Sequence, residues 1–186
     1  MRGPLAASQD GSEPVEPLPS DHPVVMYEAF VEKLAAMTGD EGGTVKILDG
    51  EENRFAGFRI DESRLGVDLY WVGDVAPSVE ELIRSHPEAK VTVHTAEYSL
   101  VDMIAARDAI SERYNSIAGD NGELTMVSPT VDGTGLQLHI RASESEVSRE
   151  QVERVVAQIT DMKLVSVTIR EDGGGIELSG GREELA

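Results

Sequence analysis

The chain contains no cysteine. Disulfides, thiolate nucleophiles and cysteine-ligated zinc are therefore excluded. It has no uninterrupted apolar run of the about 20 residues that a membrane-crossing helix needs. It is also short of cations. Lys and Arg number 16 against 35 Asp and Glu, for a formal charge of -19. A phosphate backbone needs Lys and Arg to displace its counterions, so nucleic acid is not an expected ligand. The same deficit works against anionic membrane surfaces. An acidic surface fits either simple solubility or a basic protein partner. The opening stretch, MRGPLAASQDGSEPVEPLPSDHP, has one early Arg and no apolar segment, so as written it is not a secretory signal.

The 186 residues are 40% hydrophobic. A body of about 150 residues buries roughly two-thirds of its unfolded surface, enough for a core without staples. Residues 1–22 are rich in Pro, Ser, Asp and Glu. They offer too little apolar area to offset the entropy of ordering, which predicts a segment without fixed structure. The Gly-rich acidic tail, residues 171–186, reads the same way.

Between these ends the pattern is regular. Tyr27, Phe30, Val31, Leu34 and Met37 recur at helical spacing, and Gly39 suits a helix C-terminus. A loop follows, with a short strand expected at residues 45–48. Residues 54–61 and 64–72 alternate as a hairpin around Asp61-Glu62-Ser63. Ser78 stands three residues before Glu81, the spacing of a capping box, and Leu82 and Ile83 supply the buried side of that helix. His86-Pro87 stops it, and Val91 and Val93 alternate in a closing strand. A long helix starts near Ser99 and ends before Gly119. Residues 124–131 and 135–141 form a second hairpin through Asp132-Gly133, where Gly accepts positive φ. Ser148 and Gln151 make another capping box, and Val165, Val167 and Ile169 alternate in the last strand.

The two hairpin regions match in register. Ile60, Asp61, Ser63, Leu65, Val67 and Leu69 correspond to Val131, Asp132, Thr134, Leu136, Leu138 and Ile140 at a constant offset of 71 positions. One register held through a turn and a strand points to duplication of an α–β–β–α–β unit. The expected fold is α+β: two tandem units, residues 23–96 and 97–170, each a small three-stranded sheet with helices on one face. In each, the third strand is expected parallel to the first and beside it.

A search for chemistry yields little. There is no Gly-x-Ser-x-Gly elbow, and Ser78, Ser99 and Ser148 are accounted for as helix caps. His22, His86, His94 and His139 show no metal-ligand spacing, and the two on strands point opposite to the apolar set. Asp61 and Asp132 sit at turn positions, where Asp bonds nearby backbone. Gly173-Gly174-Gly175 has no Lys or helix after it, so it is not a phosphate cradle. Trp71 continues the apolar side of its strand and reads as core. The reading is a non-enzyme with no metal and no cofactor, whose expected partner is another protein.

Phe55-Ala56-Gly57-Phe58-Arg59-Ile60-Asp61, then Val67-Asp68-Leu69-Tyr70-Trp71 with Gly73-Asp74, resembles the pro-regions of secreted bacterial chymotrypsin-like serine proteases of the alpha-lytic protease type. So does Val91-Thr92-Val93-His94 leading to Ala96-Glu97-Tyr98-Ser99-Leu100. The similarity covers residues 27–170. It implies two αβ subdomains, a secreted or extracytoplasmic setting, and a module that helps a protease domain fold and then blocks its active site. It further implies that the last sheet edge adds to a strand of the protease and that the tail lies in the cleft. By position, Leu164, Val165, Val167 and Ile169, with Ile176 and Leu178 of the tail, would bind the partner. The chain departs from that pattern in carrying no Gly-Asp-Ser-Gly-Gly run and no catalytic domain after the pro-region, so it is either a fragment or a stand-alone relative. The α–β–β–α–β order, with Val131-Asp132-Gly133-Thr134-Gly135-Leu136 and Val165-Ser166-Val167, is also similar to BON domains. That resemblance implies a structural or envelope-associated module.

Overall fold

The computed structural model describes residues 18–38, 54–119, 122–142 and 147–171. Pro23 opens the first helix, α1 (Pro23–Thr38), where its missing N–H costs nothing. Tyr27, Phe30 and Leu34 form its buried stripe, with Val31 and Met37 packed at the margin. Within the segment expected to lack structure, residues 19–22 form a turn into this helix, the His22 N–H donating to the Pro19 carbonyl at 2.9 Å. Gly39, the strand expected at 45–48, and the tail beyond residue 171 lie outside the described residues.

Strand β1 (Phe55–Asp61) and β2 (Gly66–Trp71) pair antiparallel through a short 3-10 turn, Glu62–Arg64. Helix α2 (Pro77–Ser85) then leads to β3 (Lys90–Thr95). The second unit repeats this order. Helix α3 (Leu100–Ala118) precedes the antiparallel pair β4 (Glu123–Pro129) and β5 (Leu136–Ala142), and helix α4 (Arg149–Val156) leads to β6 (Leu164–Glu171). There are two separate three-stranded mixed sheets, ordered β1-β2-β3 and β4-β5-β6.

The expected strand order needs correction. The third strand lies parallel to the second, not beside the first: Val67 is opposite Val91, and Leu138 opposite Val167. A short helix such as α2 or α4 returns the chain only to the neighbouring strand, which makes the strand just left the natural partner. The middle strand of each sheet is therefore β2 or β5. Their inward residues, Val67, Leu69 and Trp71 in one and Leu136, Leu138, Ile140 and Ala142 in the other, are the centres of two cores.

Caps fix the helix starts. The Ser99 hydroxyl accepts from the Asp102 N–H, and Ser148 and Gln151 form the complete capping box. Ser78 does not cap α2. Pro77 takes the first helical position, because its fixed φ suits that turn, and Ala76 becomes the N-cap, leaving Ser78 inside the helix. Val79 and Leu82 are that helix's buried residues.

The two hairpin turns share one device at the 71-residue offset. Asp61 accepts from the Ser63 N–H at 3.1 Å and hydroxyl at 2.6 Å. Asp132 accepts from the Thr134 N–H at 3.2 Å and hydroxyl at 2.7 Å. The Ser63 hydroxyl holds the exposed Asp61 carboxyl below its ordinary pKa, with Arg64 adding to the effect. For Asp132, burial alone pushes the pKa up. The Thr134 and Thr130 hydroxyls and the Thr134 N–H together outweigh it, so the net shift is downward. A carboxylate with a depressed pKa stabilises the fold above its unfolded pKa of about 3.9, and that stability is lost as pH falls through the folded value. Asp132→Ala should therefore cost about 1 kcal/mol at pH 7, modest because the group is partly hydrated. In urea melts the gap between variant and wild type should be smaller at pH 3 than at pH 7, because protonation of the folded carboxyl has then begun to remove the contribution. An equal gap at both pH values would show that the charge is not what holds the turn.

Among the described residues the units touch at a joint. The second hairpin tip reaches the end of the first sheet, where Gly133 O accepts from the N–H groups of Glu97 at 3.2 Å and Tyr98 at 2.9 Å. Lys163 faces Glu97 at 3.9 Å beside it. A methyl on Gly133 would lie 2.6 Å from Cβ of Ala96 and 2.7 Å from Cβ of Ala56. On Gly57 it would strike the Val131 carbonyl. Leu100 packs against both cores. Burial pushes the Tyr98 phenol pKa up, and the neighbouring Glu97 carboxylate adds to the rise.

Candidate protein-binding surface

Each sheet has helices on one face only, and among the described residues no helix or further sheet covers the other face. In the first sheet the open face carries Asp68 and Tyr70 of β2, with Thr92 and His94 of β3 as their register partners. His94 Nε2 lies 3.1 Å from Asp68 Oδ1 and stacks on Tyr70 with ring centroids 5.1 Å apart. Arg64 folds over Gly66 and bridges Asp61 at 2.8 Å and Asp68 at 3.3 Å. This chain of alternating charges ties the turn to the sheet. Among the described residues the imidazole bonds only to Asp68, so the pair has no nucleophile attached to it. His86 has a different task. It ends α2, faces the Leu82 carbonyl through Nδ1 at 3.0 Å, and holds Lys33 of α1 through Nε2 at 3.1 Å.

Among the described residues no group of three His, Asp or Glu is placed to hold a metal ion, and no helix is long and apolar enough to cross a membrane. A cavity of about 290 Å³ lies between the end of α4 and the start of β6, lined by Val156, Thr160, Asp161 and Met162 among others. The buried Tyr114 phenol, its pKa pushed up to about 12 by desolvation, belongs to the second core.

The strand edges differ in how they are finished. β1 and β4 each carry a bulge near the start, at Ala56 and Thr125, and β4 ends in Pro129. Bulges and proline are the usual means of blunting an edge against further pairing. β3 has neither, and its Val93 is 47% exposed. β6 has one irregularity, at Val165, and runs regularly from Ser166 onward. Among the described residues neither β3 nor β6 has a neighbour on its outer side.

The residues expected to bind a partner divide accordingly. Val167 and Ile169 are buried in the second core, and Leu164 packs at its margin, so these side chains hold the strand in place. Val165 is half-buried at the bulge, and Ile176 and Leu178 lie outside the described residues. What β6 turns outward is its backbone edge, with Ser166, Thr168 and Arg170 on the open face. The sequence does not reveal this division, because an alternating strand reads the same whether its far edge is paired or free. The Asp68–His94 pair went unforeseen for a related reason: both fall on the off-phase of their strands, but only the register brings them together.

No protein-family model matches the chain, and no curated protein matches it either.

Proposed function

We propose that this chain is a non-catalytic protein-binding module that acts on a partner as protease pro-regions do, assisting its folding and then occupying it. The observation that carries this reading is the outer edge of β6. Its inward side chains are locked in the core, so its backbone N–H and C=O groups stand in fixed register for an incoming strand. Strand addition of this kind draws its affinity from main-chain bonds, while alternate side chains set its specificity. The tandem αβ arrangement and the resemblance through Tyr98-Ser99-Leu100 support the same reading.

The test is refolding. Denatured chymotrypsin-like serine protease domains are diluted into buffer with and without the full chain, and the yield of active enzyme and the inhibition by excess chain are scored. At least one protease should gain yield and be inhibited at near one-to-one stoichiometry. No change in either quantity across several such proteases would end the proposal.

A further inference from the structure

The link between the second helix and the last strand differs between the two units. In the first, four residues, 86–89, join α2 to β3, and they are packed: the His86 ring lies 5.7 Å from that of Phe30, and Ala89 is buried. In the second, seven residues, 157–163, join α4 to β6. The longer link is held at both ends. The Ile159 and Thr160 N–H groups donate to the Val156 carbonyl at 2.8 and 3.0 Å, and the Leu136 N–H donates to the Lys163 carbonyl at 3.0 Å. Thr160 Oγ1 accepts from the Met162 N–H at 3.2 Å. A link pinned in this way keeps the cavity of about 290 Å³ open between itself and the end of α4. That volume is at the lower end of ligand pockets, about 300–1,000 Å³, and suits one short aliphatic chain.

The lining has two parts. Val156 is buried, and Met162 and Leu164 pack half-buried against the second core, which gives the cavity apolar walls. Met162 is flexible enough to adjust to an occupant. Three charged residues complete the site, and two of them have partners. Glu153 Oε1 accepts from Arg149 Nε at 2.7 Å, and Lys163 Nζ lies 3.9 Å from Glu97. Asp161 is exposed and has no cation within ion-pair distance among the described residues. Exposed carboxylates are common on this chain, but this one borders an apolar cavity. We infer that the cavity binds an alkylammonium group, its methylenes against Val156, Met162 and Leu164 and its charge on Asp161. The net charge of -19 raises the local concentration of cations and lowers that of anions. A free amine and a lysine side chain of a partner both carry this group. The inference does not rest on the β6 edge.

The probe is n-butylamine, titrated into the isotopically labelled full chain and followed by amide chemical shifts, with butanol and butyrate as controls. Shifts at Ala157, Thr160, Met162 and Leu164 should saturate with the amine, respond about tenfold more weakly to butanol, and stay still with butyrate. Asp161→Asn should weaken amine binding by about tenfold. Ala157→Phe, at an exposed position of the lining, keeps every charge and should abolish saturation by filling the cavity. No movement at these amides, or equal movement with all three probes, would overturn the inference. So would undiminished binding in Ala157→Phe, since a cation near an acidic surface would then explain the shifts. Lysine blocked at both its α-amino and carboxyl groups separates the two sources. Saturation of the same amides assigns the cavity to a lysine side chain, and failure beside a positive butylamine titration assigns it to free amines. No protease enters this titration, so its failure leaves the refolding result untouched, and a failed refolding assay leaves the cavity's occupant standing.

Discussion

Replacing Gly133 by alanine should loosen the joint between the two units and separate their unfolding. The residue sits at φ +67, and its Cβ would meet Ala96, Ala56 and the Tyr98 carbonyl at 2.6 to 2.7 Å. Left-handed backbone costs a residue with a side chain about 1–2 kcal/mol, and forcing an atom into a filled space adds about 1–3 kcal/mol. Backbone cannot yield as a flexible side chain can, so the hairpin tip has to lift. The bonds from Glu97 and Tyr98 to the Gly133 carbonyl go with it. A total loss of about 2–5 kcal/mol is expected. The lone Trp71 lies in the first core, so its fluorescence reports that unit while circular dichroism reports both. In urea the two signals should unfold at different midpoints in Gly133→Ala. Gly57→Ala, which presses on the Val131 carbonyl from the other side, should do the same. Coincident transitions at the wild-type midpoint in both variants would show that the contact adds nothing.

Trp71→Ala should be the most damaging single change in the first unit. The indole is fully buried, packs edge-on against Phe55 at 6.0 Å between ring centroids, and ends the inward row of β2. Deleting a buried tryptophan costs about 3–5 kcal/mol through lost transfer energy and the cavity left behind. Its indole N–H has no acceptor among the described residues. An unmet buried donor carries a penalty of about 1–3 kcal/mol, which phenylalanine would remove. Trp71→Phe should therefore be much milder than alanine, with the smaller ring's lost packing partly offset by the discarded donor. The midpoints in urea order the three proteins. If phenylalanine proves as costly as alanine, the N–H has a partner in solution and the penalty argument fails.

What could be read from the sequence was what is local. Asp132-Gly133 gives a hairpin turn, Ser148 with Gln151 gives a helix start, and Leu136, Leu138 and Ile140 give an inward row, because each depends on residues a few positions apart. Strand order was misread because it depends on where a crossover helix lands, and nothing within Val91 or Val93 states that. Ser78 looked like a cap on spacing alone, but Pro77 competes for the same turn and prevails. Gly133 was read for its φ. Its other role, the missing Cβ beside Ala56 and Ala96, is a contact across the chain. Gly57 did carry a hint, since glycine inside a strand often marks another backbone close by. The candidate binding surface was the least legible part. Val167 and Ile169 were expected to touch a partner, but their alternation is the same signal that buries them.

The glycines of the joint are not repeated. Counted by the 71-residue offset, Gly133 answers to Glu62. Counted by strand register, Gly57 answers to Glu123, since Tyr70 and Arg141 occupy the same place in their sheets. A second molecule offering its Asp61-Glu62-Ser63 tip to this one's rear sheet would bring carboxylate against carboxylate where the native contact brings carbonyl against amide. Head-to-tail contacts that fail to close grow into fibres. The tip of a second copy's first hairpin therefore lacks the glycine that lets the native tip close, and the strand it would meet carries Glu123 where the native joint has Gly57.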